Sequence, residues 1–115
     1  MRIKKITDEG IYFDNGDSIF YEHDQDCCEN NYADFTVISR NDVNFDYDFD
    51  PDEMIFKRIE GAGFCFGNEG HLIFVPCYSE QNGYYSDEIE ICYYDIRKNE
   101  TKTVINNLEC GMIDA

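Results

Sequence analysis

Apolar and polar residues alternate with a period close to two in several short runs along the chain. The run 43–50 alternates most regularly, and Glu88–Ile91 repeats the pattern. Successive side chains of a β-strand point to opposite faces, so this alternation predicts strands with one apolar and one solvated face. The helical period is weak by comparison, and the pattern as a whole favours β structure.

Short turn signals separate these runs and predict hairpins. Asn15-Gly16 lies between two apolar runs and is typical of a type I′ turn, because both residues accept a positive φ. Further turn signals occur at 67–70, 81–83 and 98–100. Links this short place consecutive strands side by side and antiparallel.

The fold expected from these elements is mainly β and forms a single domain over residues 1–115. About seven to nine short strands would form a single antiparallel sheet, a meander, or a partly open barrel or sandwich. At most one or two short helices are expected. The better candidate is Asp50–Arg58, where Pro51 suits the first helical position and acidic residues suit the first turn. The second is a helical turn near 27–35.

Composition and charge narrow the class of protein. Hydrophobic residues make up 43% of the chain, which is too apolar for a disordered chain. No apolar run approaches the ~20 residues that a membrane helix needs. Acidic residues number 25 and basic residues 9, which gives a net charge of -16. This charge argues against direct binding of nucleic acid or of an anionic membrane.

The acidity is concentrated in the first half of the chain, and it is densest in the acidic segment 46–53. In a continued strand, alternate carboxylates would line one face about 6.6 Å apart, with Phe45, Tyr47 and Phe49 anchoring the other. We predict that this row imitates a nucleic-acid backbone and docks on Lys and Arg of a basic protein. The predicted partner-binding residues are Asp46, Asp48, Asp50, Asp52 and Glu53. A solvated strand face and a weak, irregular calcium site are the alternatives.

A second unusual stretch, 21–29, combines imidazole, thiols and carboxylates. His23 with Cys27 or Cys28 would supply two zinc ligands, and the rest would have to come from His71, Cys77 or Cys110. A cysteine nucleophile with His23 as its base is another alternative. A structural role, in which His23 and Asp26 satisfy loop backbone groups, is the simplest interpretation. Because the chain contains no recognised catalytic motif, it is not predicted to be an enzyme, and no cofactor is expected.

The N-terminal residues contain no apolar segment, so they are not predicted to be a secretory signal. The six cysteines are therefore expected to be thiols in a reducing cytoplasm. Cys65 and Cys92 lie inside apolar stretches and are predicted to be small buried hydrophobic residues.

Two motifs together resemble a family of small uncharacterised bacterial and phage proteins. The first is H-D-Q-D-C-C-E at 23–29, and the second is E-Q-N-G-Y-Y-S at 80–86. The family is a domain of unknown function, so the resemblance implies a cytoplasmic setting in a bacterial host cell but no reaction and no catalytic residue. If the two motifs meet in space, they imply a shared ligand-binding pocket. Its residues would be His23, Gln25, Asp26, Cys28, Glu80, Asn82 and Tyr84.

Two hypotheses of function follow from these features. The first is a small non-enzymatic binding protein, phage-encoded under the resemblance, that occludes a basic nucleic-acid-binding surface of a host or defence protein. The alternative is a small-ligand- or metal-binding protein that uses His23–Cys28 and Glu80–Tyr85. The first hypothesis needs an exposed acidic face, whereas the second needs a pocket.

Overall fold

A computed structural model provides the fold, and it describes residues 1–23, 30–40, 43–81 and 86–114. Three short helical segments lie in this part of the chain: a 3₁₀ helix at Phe35–Arg40, the α-helix α1 at Val43–Asp46, and a second 3₁₀ helix at Pro51–Glu53. None of the described helices is long and apolar enough to span a bilayer. The strands in chain order are β1 (Ile3–Ile6), β2 (Gly10–Phe13), β3 (Ser18–Glu22), β4 (Asn30–Ala33), β5 (Ile55–Ile59), β6 (Gly63–Asn68), β7 (His71–Gln81), β8 (Glu88–Asp95), β9 (Glu100–Glu109) and β10 (Gly111–Asp114).

These strands form two five-stranded sheets. The first has the order β1-β2-β3-β8-β9, and all of its neighbours are antiparallel. The second has the order β10-β7-β6-β5, with β4 also paired to β7. Its pairs are antiparallel except that β10 runs parallel to β7. The prediction of a mainly β, largely antiparallel fold is confirmed. The strands form two open sheets rather than one, and the described residues contain ten strands where about seven to nine were expected.

The inward faces of both sheets contribute to one hydrophobic core. Ile19 and Ile91 of the first sheet and Phe64 and Val75 of the second are fully buried in it. Alternate residues of β7 are buried along its whole length, as the period of two requires. Burial of this apolar surface is the main term that stabilises the fold.

The hairpin predicted at Asn15-Gly16 is present, but its turn type differs from the prediction. Gly16 has a φ of +99°, whereas Asn15 does not adopt a positive φ, so the turn is not type I′. Backbone hydrogen bonds run from the Gly16 N–H to the Phe13 carbonyl and from the Phe13 N–H to the Asp17 carbonyl. Three residues therefore form the loop, with glycine in the position that needs a positive φ.

Residues 43–50 do not form the predicted strand, and the predicted burial is met only in part. Phe45 and Tyr47 are partly buried against the core, and Val43 is 69% exposed. Val43–Asp46 form one helical turn, and the next four residues have no regular structure. Phe49 is nevertheless fully buried, and the acidic residues that alternate with it are exposed. The backbone of Phe49 exchanges two hydrogen bonds with Met1. Phe49 is therefore held in the core by two backbone hydrogen bonds to Met1, without a β-strand at this position.

The helix predicted over Asp50–Arg58 is shorter than expected. Only Pro51–Glu53 is helical, with proline at its start and with Asp50 accepting a hydrogen bond from the Asp52 N–H at 3.0 Å. The chain then becomes β5 (Ile55–Ile59), which pairs with β6. A cap and a favourable first turn therefore define where this helix begins, whereas the pairing of the following apolar residues ends it.

The helical turn predicted near 27–35 falls partly outside the described residues. In the described part, Asn30–Ala33 is strand β4, and the helical segment begins only at Phe35. A strand forms here in place of the predicted helical turn, because pairing with β7 buries Asn31 and Ala33 fully.

Replacement by alanine should cost different amounts of stability at the two glycines of the β6–β7 hairpin. Both have a positive φ, +144° at Gly67 and +84° at Gly70. A β-carbon at Gly67 would lie 2.1 Å from the His71 carbonyl oxygen, whereas one at Gly70 would meet no atom within 4 Å. We expect Gly70→Ala to lower the free energy of unfolding by about 1 kcal/mol and Gly67→Ala by about 3 kcal/mol or more. Urea unfolding measured by circular dichroism gives both values, and equal losses would contradict this account.

Candidate functional site

The carboxylates of the acidic segment are exposed, but part of their charge is neutralised within the chain. All five predicted partner-binding residues are exposed: Asp46, Asp48, Asp50, Asp52 and Glu53. The N-terminal ammonium of Met1 lies 2.8 Å from an oxygen of Asp48, and Arg97 Nη2 lies 2.8 Å from an oxygen of Asp52. These hydrogen-bonded ion pairs lower the pKa of both carboxyl groups. The segment therefore presents fewer free negative charges than its sequence implies.

Aromatic contacts fix the inward side of the acidic segment. Tyr47 stacks on His71 with ring centroids 3.8 Å apart and an angle of 7° between the planes. Phe49 packs edge-on against Phe13 and His71. His71 Nε2 also lies 3.2 Å from Asn44 Oδ1, so this predicted zinc-ligand candidate is part of the packing instead.

Asn68 holds the second half of the segment, and sequence reasoning did not single it out. Its side-chain oxygen accepts a hydrogen bond from the Asp50 N–H at 2.7 Å. Its amide nitrogen donates to the carbonyl groups of Asp50 and Glu53, at 3.1 and 3.0 Å. A buried amide that bonds both ends of a turn fixes its backbone.

The described ends of the two motif segments come together, although much of each motif lies outside the described residues. Of the seven predicted pocket residues, His23 and Glu80 are described. Gln25, Asp26, Cys28, Asn82 and Tyr84 lie outside the described ranges, as do Cys27 and the turn signal at 82–83. Asn30, which follows the first motif, pairs with Glu80 in the β4–β7 register. The flanks of both motifs are therefore neighbours.

A buried polar network connects these flanks. The fully buried amide of Asn31 donates to the Ser86 carbonyl at 2.7 Å, contacts His23 Nε2 at 3.2 Å, and accepts a hydrogen bond from Ser79 Oγ. Gln81 donates to Ser79 Oγ at 2.6 Å and to the Ser86 carbonyl at 3.0 Å. Low-polarity surroundings make such bonds strong and make their loss costly. The network orients His23 and fixes Ser86 at the start of β8.

Two clefts open beside this network. The first, which we name the glutamate cleft, has a volume of about 290 Å³ and is lined by Glu22, His23, Ser86, Glu88, Ile89, Glu90 and Asn107. The second, which we name the tyrosine cleft, has a volume of about 240 Å³ and is lined by Asp8, Tyr21, Asn30, Tyr32, Ala33, Asp34 and Glu80. Each cleft has three carboxylates among its described lining residues, and neither has a Lys or Arg there.

The glutamate cleft brings like charges together. Glu22 and Glu90 lie directly opposite each other in the β3–β8 pair, and Glu88 lies two residues from Glu90 on the same face of β8. No ion pair joins these three carboxylates to a cation among the described residues. Like charges directly opposite each other in a sheet are destabilising. The arrangement therefore weakens the fold locally and leaves a concentrated negative potential at the cleft.

A β-bulge shapes one wall of the glutamate cleft. Asn107 has a φ of +52°, and the β8–β9 register shifts between Ile89 and Ile91. A bulge turns side chains away from the regular strand direction and often lies beside a binding site. Asparagine tolerates this backbone conformation better than most residues, which accounts for its presence here.

In the tyrosine cleft, Tyr32 of β4 makes a hydrogen bond to Glu80 of β7, which is one of the predicted pocket residues. The Tyr32 hydroxyl donates to Glu80 Oε1 at 3.2 Å. Partial burial and the neighbouring Glu80 carboxylate raise the pKa of Tyr32. The ring of Tyr32 also packs against Tyr78, with centroids 5.8 Å apart. The Glu80 carboxylate can accept a hydrogen bond from a small molecule, or form an ion pair with a positively charged one.

The described residues include no group of three or more His, Cys, Asp and Glu residues that could hold a metal ion. Cys77 and Cys110, two of the zinc-ligand candidates, are buried. The neighbouring Cys110 thiol and burial raise the pKa of the Cys77 thiol, so it keeps its proton. Cys92 is buried as predicted, but Cys65 is half-buried on the outward face of β6.

No protein-family model, curated protein or solved structure matches this chain. The resemblance to small bacterial and phage proteins therefore remains a prediction from the two motifs.

The polar network predicts a large difference between two asparagine substitutions. Asn31→Ala leaves His23, Ser79 and the Ser86 carbonyl with fewer partners, so we expect the free energy of unfolding to fall by about 2–3 kcal/mol. The control Asn106→Ala removes an exposed asparagine side chain and should change it by less than about 0.5 kcal/mol. Urea titrations of both variants test this difference. A loss at Asn31 no larger than that at Asn106 would refute a stabilising network.

Proposed function

We propose that the chain is a small acidic binding protein that docks on a basic surface of another protein. A Lys- and Arg-lined nucleic-acid-binding surface of a host or defence protein is the class of partner that fits this chemistry. The observation that supports the proposal is the glutamate cleft, where three carboxylates converge with no Lys or Arg among the described lining residues. The phage-encoded form of the proposal rests on the motif resemblance alone.

The glutamate cleft is favoured over the acidic segment as the centre of docking. In the segment, Asp48 and Asp52 already have cationic partners at 2.8 Å. Glu22 and Glu90 face each other without such a partner, so an incoming guanidinium or ammonium group would relieve their repulsion. Binding that removes an existing repulsion gains more than binding that must compete with an internal ion pair.

The proposed mechanism is electrostatic steering followed by occlusion. The net charge of -16 attracts a basic surface over several ångströms and raises the association rate, most strongly at low salt. At contact, carboxylates take the place that phosphates would occupy on Arg and Lys. The partner's surface is then blocked by the bound protein, without any chemical step.

Two triple variants with equal change of charge locate the docking site. One replaces Glu22, Glu88 and Glu90 with Gln, and the other replaces Asp46, Asp48 and Asp50 with Asn, which can still cap the 3₁₀ helix. Binding of a short arginine-rich peptide is measured by surface plasmon resonance at low and moderate salt. We expect association to slow by roughly tenfold in the Gln variant and by roughly twofold in the Asn variant.

The two variants also provide each other's control, because both change the net charge by the same amount. Equal slowing would mean that overall charge, rather than the glutamate cleft, determines binding. A larger decrease of the association rate in the Asn variant would indicate that the acidic segment is the docking site. Circular dichroism spectra that match the parent protein confirm that both variants are folded.

A second candidate function is binding of a small cationic molecule in the tyrosine cleft. It is favoured by the convergence of the two motif flanks there and by the Tyr32–Glu80 hydrogen bond. We expect spermidine to bind this cleft and Glu80→Gln to weaken binding by roughly fivefold. Calorimetry of the parent and variant proteins measures this difference. Unchanged affinity in Glu80→Gln would exclude the cleft as the binding site.

A further inference from the structure

Two buried cysteines lie next to each other where β10 joins β7. The parallel register pairs Gly111 with Tyr78, so the residues that precede them, Cys110 and Cys77, are neighbours at the start of the ladder. A β-carbon on Gly111 would lie 3.5 Å from the Cys77 carbonyl oxygen, so the two chain segments approach closely here. Neighbouring strands are about 4.8 Å apart, and a disulfide joins Cα atoms that are about 4.4–6.8 Å apart. The backbone spacing therefore suits a disulfide.

Both thiols point into the core. Cys77 is fully buried, Cys110 is 1% exposed, and both belong to the core between the sheets. The Cys110 thiol is the largest cause of the raised pKa of the Cys77 thiol, and such an effect needs the two groups to be close together. The two side chains therefore lie on the same side of the backbone and near each other, as a disulfide requires.

The turn between β5 and β6 holds the backbone beside both cysteines. The Cys77 N–H donates to the Ala62 carbonyl at 2.9 Å. The Gly61 N–H donates to the carbonyl of Glu109, the residue before Cys110, at 3.0 Å. Two groups that are already held side by side lose little further freedom when they react, so their effective concentration is high.

The edge position of β10 gives these buried thiols access to an oxidant. β10 has four residues and, among the described strands, pairs only with β7. Short edge elements open locally at a lower free-energy cost than core strands. While β10 is closed, burial and the neighbouring thiol keep Cys77 protonated and therefore unreactive. Reaction thus requires β10 to open, and closing brings the two sulfur atoms together again.

We propose that Cys77 and Cys110 are a redox-active pair whose disulfide fixes β10 to β7. The oxidant is a small-molecule disulfide such as oxidised glutathione. The thiolate of one cysteine attacks a sulfur of the oxidant and releases one thiol, and the thiolate of the other cysteine attacks the mixed disulfide and releases the second. The two cysteines lose two protons and two electrons in total, and these convert the oxidant into two thiols.

The effect of the bridge reaches the polar network and the tyrosine cleft through β7. Ser79, a member of the network, pairs with Met112 of β10. Glu80, which lines the tyrosine cleft, pairs with Ile113 of β10. A covalent bond at the start of this ladder keeps β10 in place beside both residues. The oxidation state therefore controls how firmly this part of the second sheet is held.

Equilibration of the folded protein in mixtures of reduced and oxidised glutathione tests the pair. Free thiols are blocked by alkylation, and mass spectrometry of the peptides identifies the bridged residues. We expect a bridge between Cys77 and Cys110, with a loss of about 2 Da for its two hydrogen atoms. The controls Cys65→Ala and Cys92→Ala remove cysteines whose neighbours across the strands are not cysteines, so both should keep the bridge.

Two outcomes of this experiment would overturn the proposal. The first is that Cys77 and Cys110 are both alkylated at every glutathione ratio. The second is that either residue forms its bridge to a different cysteine. Both outcomes are measured on the unsubstituted protein, so they do not depend on a variant that folds.

Urea unfolding and amide exchange test what the bridge does to the fold. Closing the loop between residues 77 and 110 restricts the unfolded chain, so oxidation should raise the urea midpoint by about 1 M or more. Amide exchange in β10 should slow by roughly tenfold or more, because the strand can no longer leave β7. Cys92→Ala should show both changes on oxidation, and Cys77→Ala should show neither. An unchanged or lower midpoint, or unchanged exchange in β10, would contradict a disulfide that fits the folded chain.

Discussion

The pairing of strand β7 with three other strands is the constraint on which the second sheet depends. Its first half pairs with β6, and its second half lies between β4 and β10. Pro76 lies at the change of neighbours, where the β6 ladder ends and the β4 ladder has not begun. Proline lacks an N–H group, so it is tolerated where a strand needs no donor. The same strand places alternate side chains in the core and the others on the opposite face of the sheet.

The sequence predicts local features of this fold better than distant ones. Alternation and turn residues indicate hairpins and the buried face of each strand, because both depend on neighbouring positions. They do not indicate that β10 pairs in parallel with β7 or that β8 lies between β3 and β9. Such pairings are chosen by the fit of whole faces in the core. The run 43–50 illustrates the limit, since it forms no strand and only Phe49 of its alternating apolar residues is fully buried.

In the candidate site, too, the sequence predicts local features better than contacts between distant residues. Exposure of the aspartates in the acidic segment follows from their charge and could be predicted. Their neutralisation could not, because the partners of Asp48 and Asp52 lie 47 and 45 residues away in the chain. Asn31 and Ser79 have no distinguishing neighbours in the sequence and meet across 48 residues. The two motifs nevertheless have neighbouring flanks in the fold, since the network joins their described ends.

The opposed carboxylates link the stability of the chain to the proposed binding of a basic partner. Retaining Glu22 opposite Glu90 costs stability in the isolated chain. A cation bound between them recovers that cost and also reduces the net negative charge of the complex.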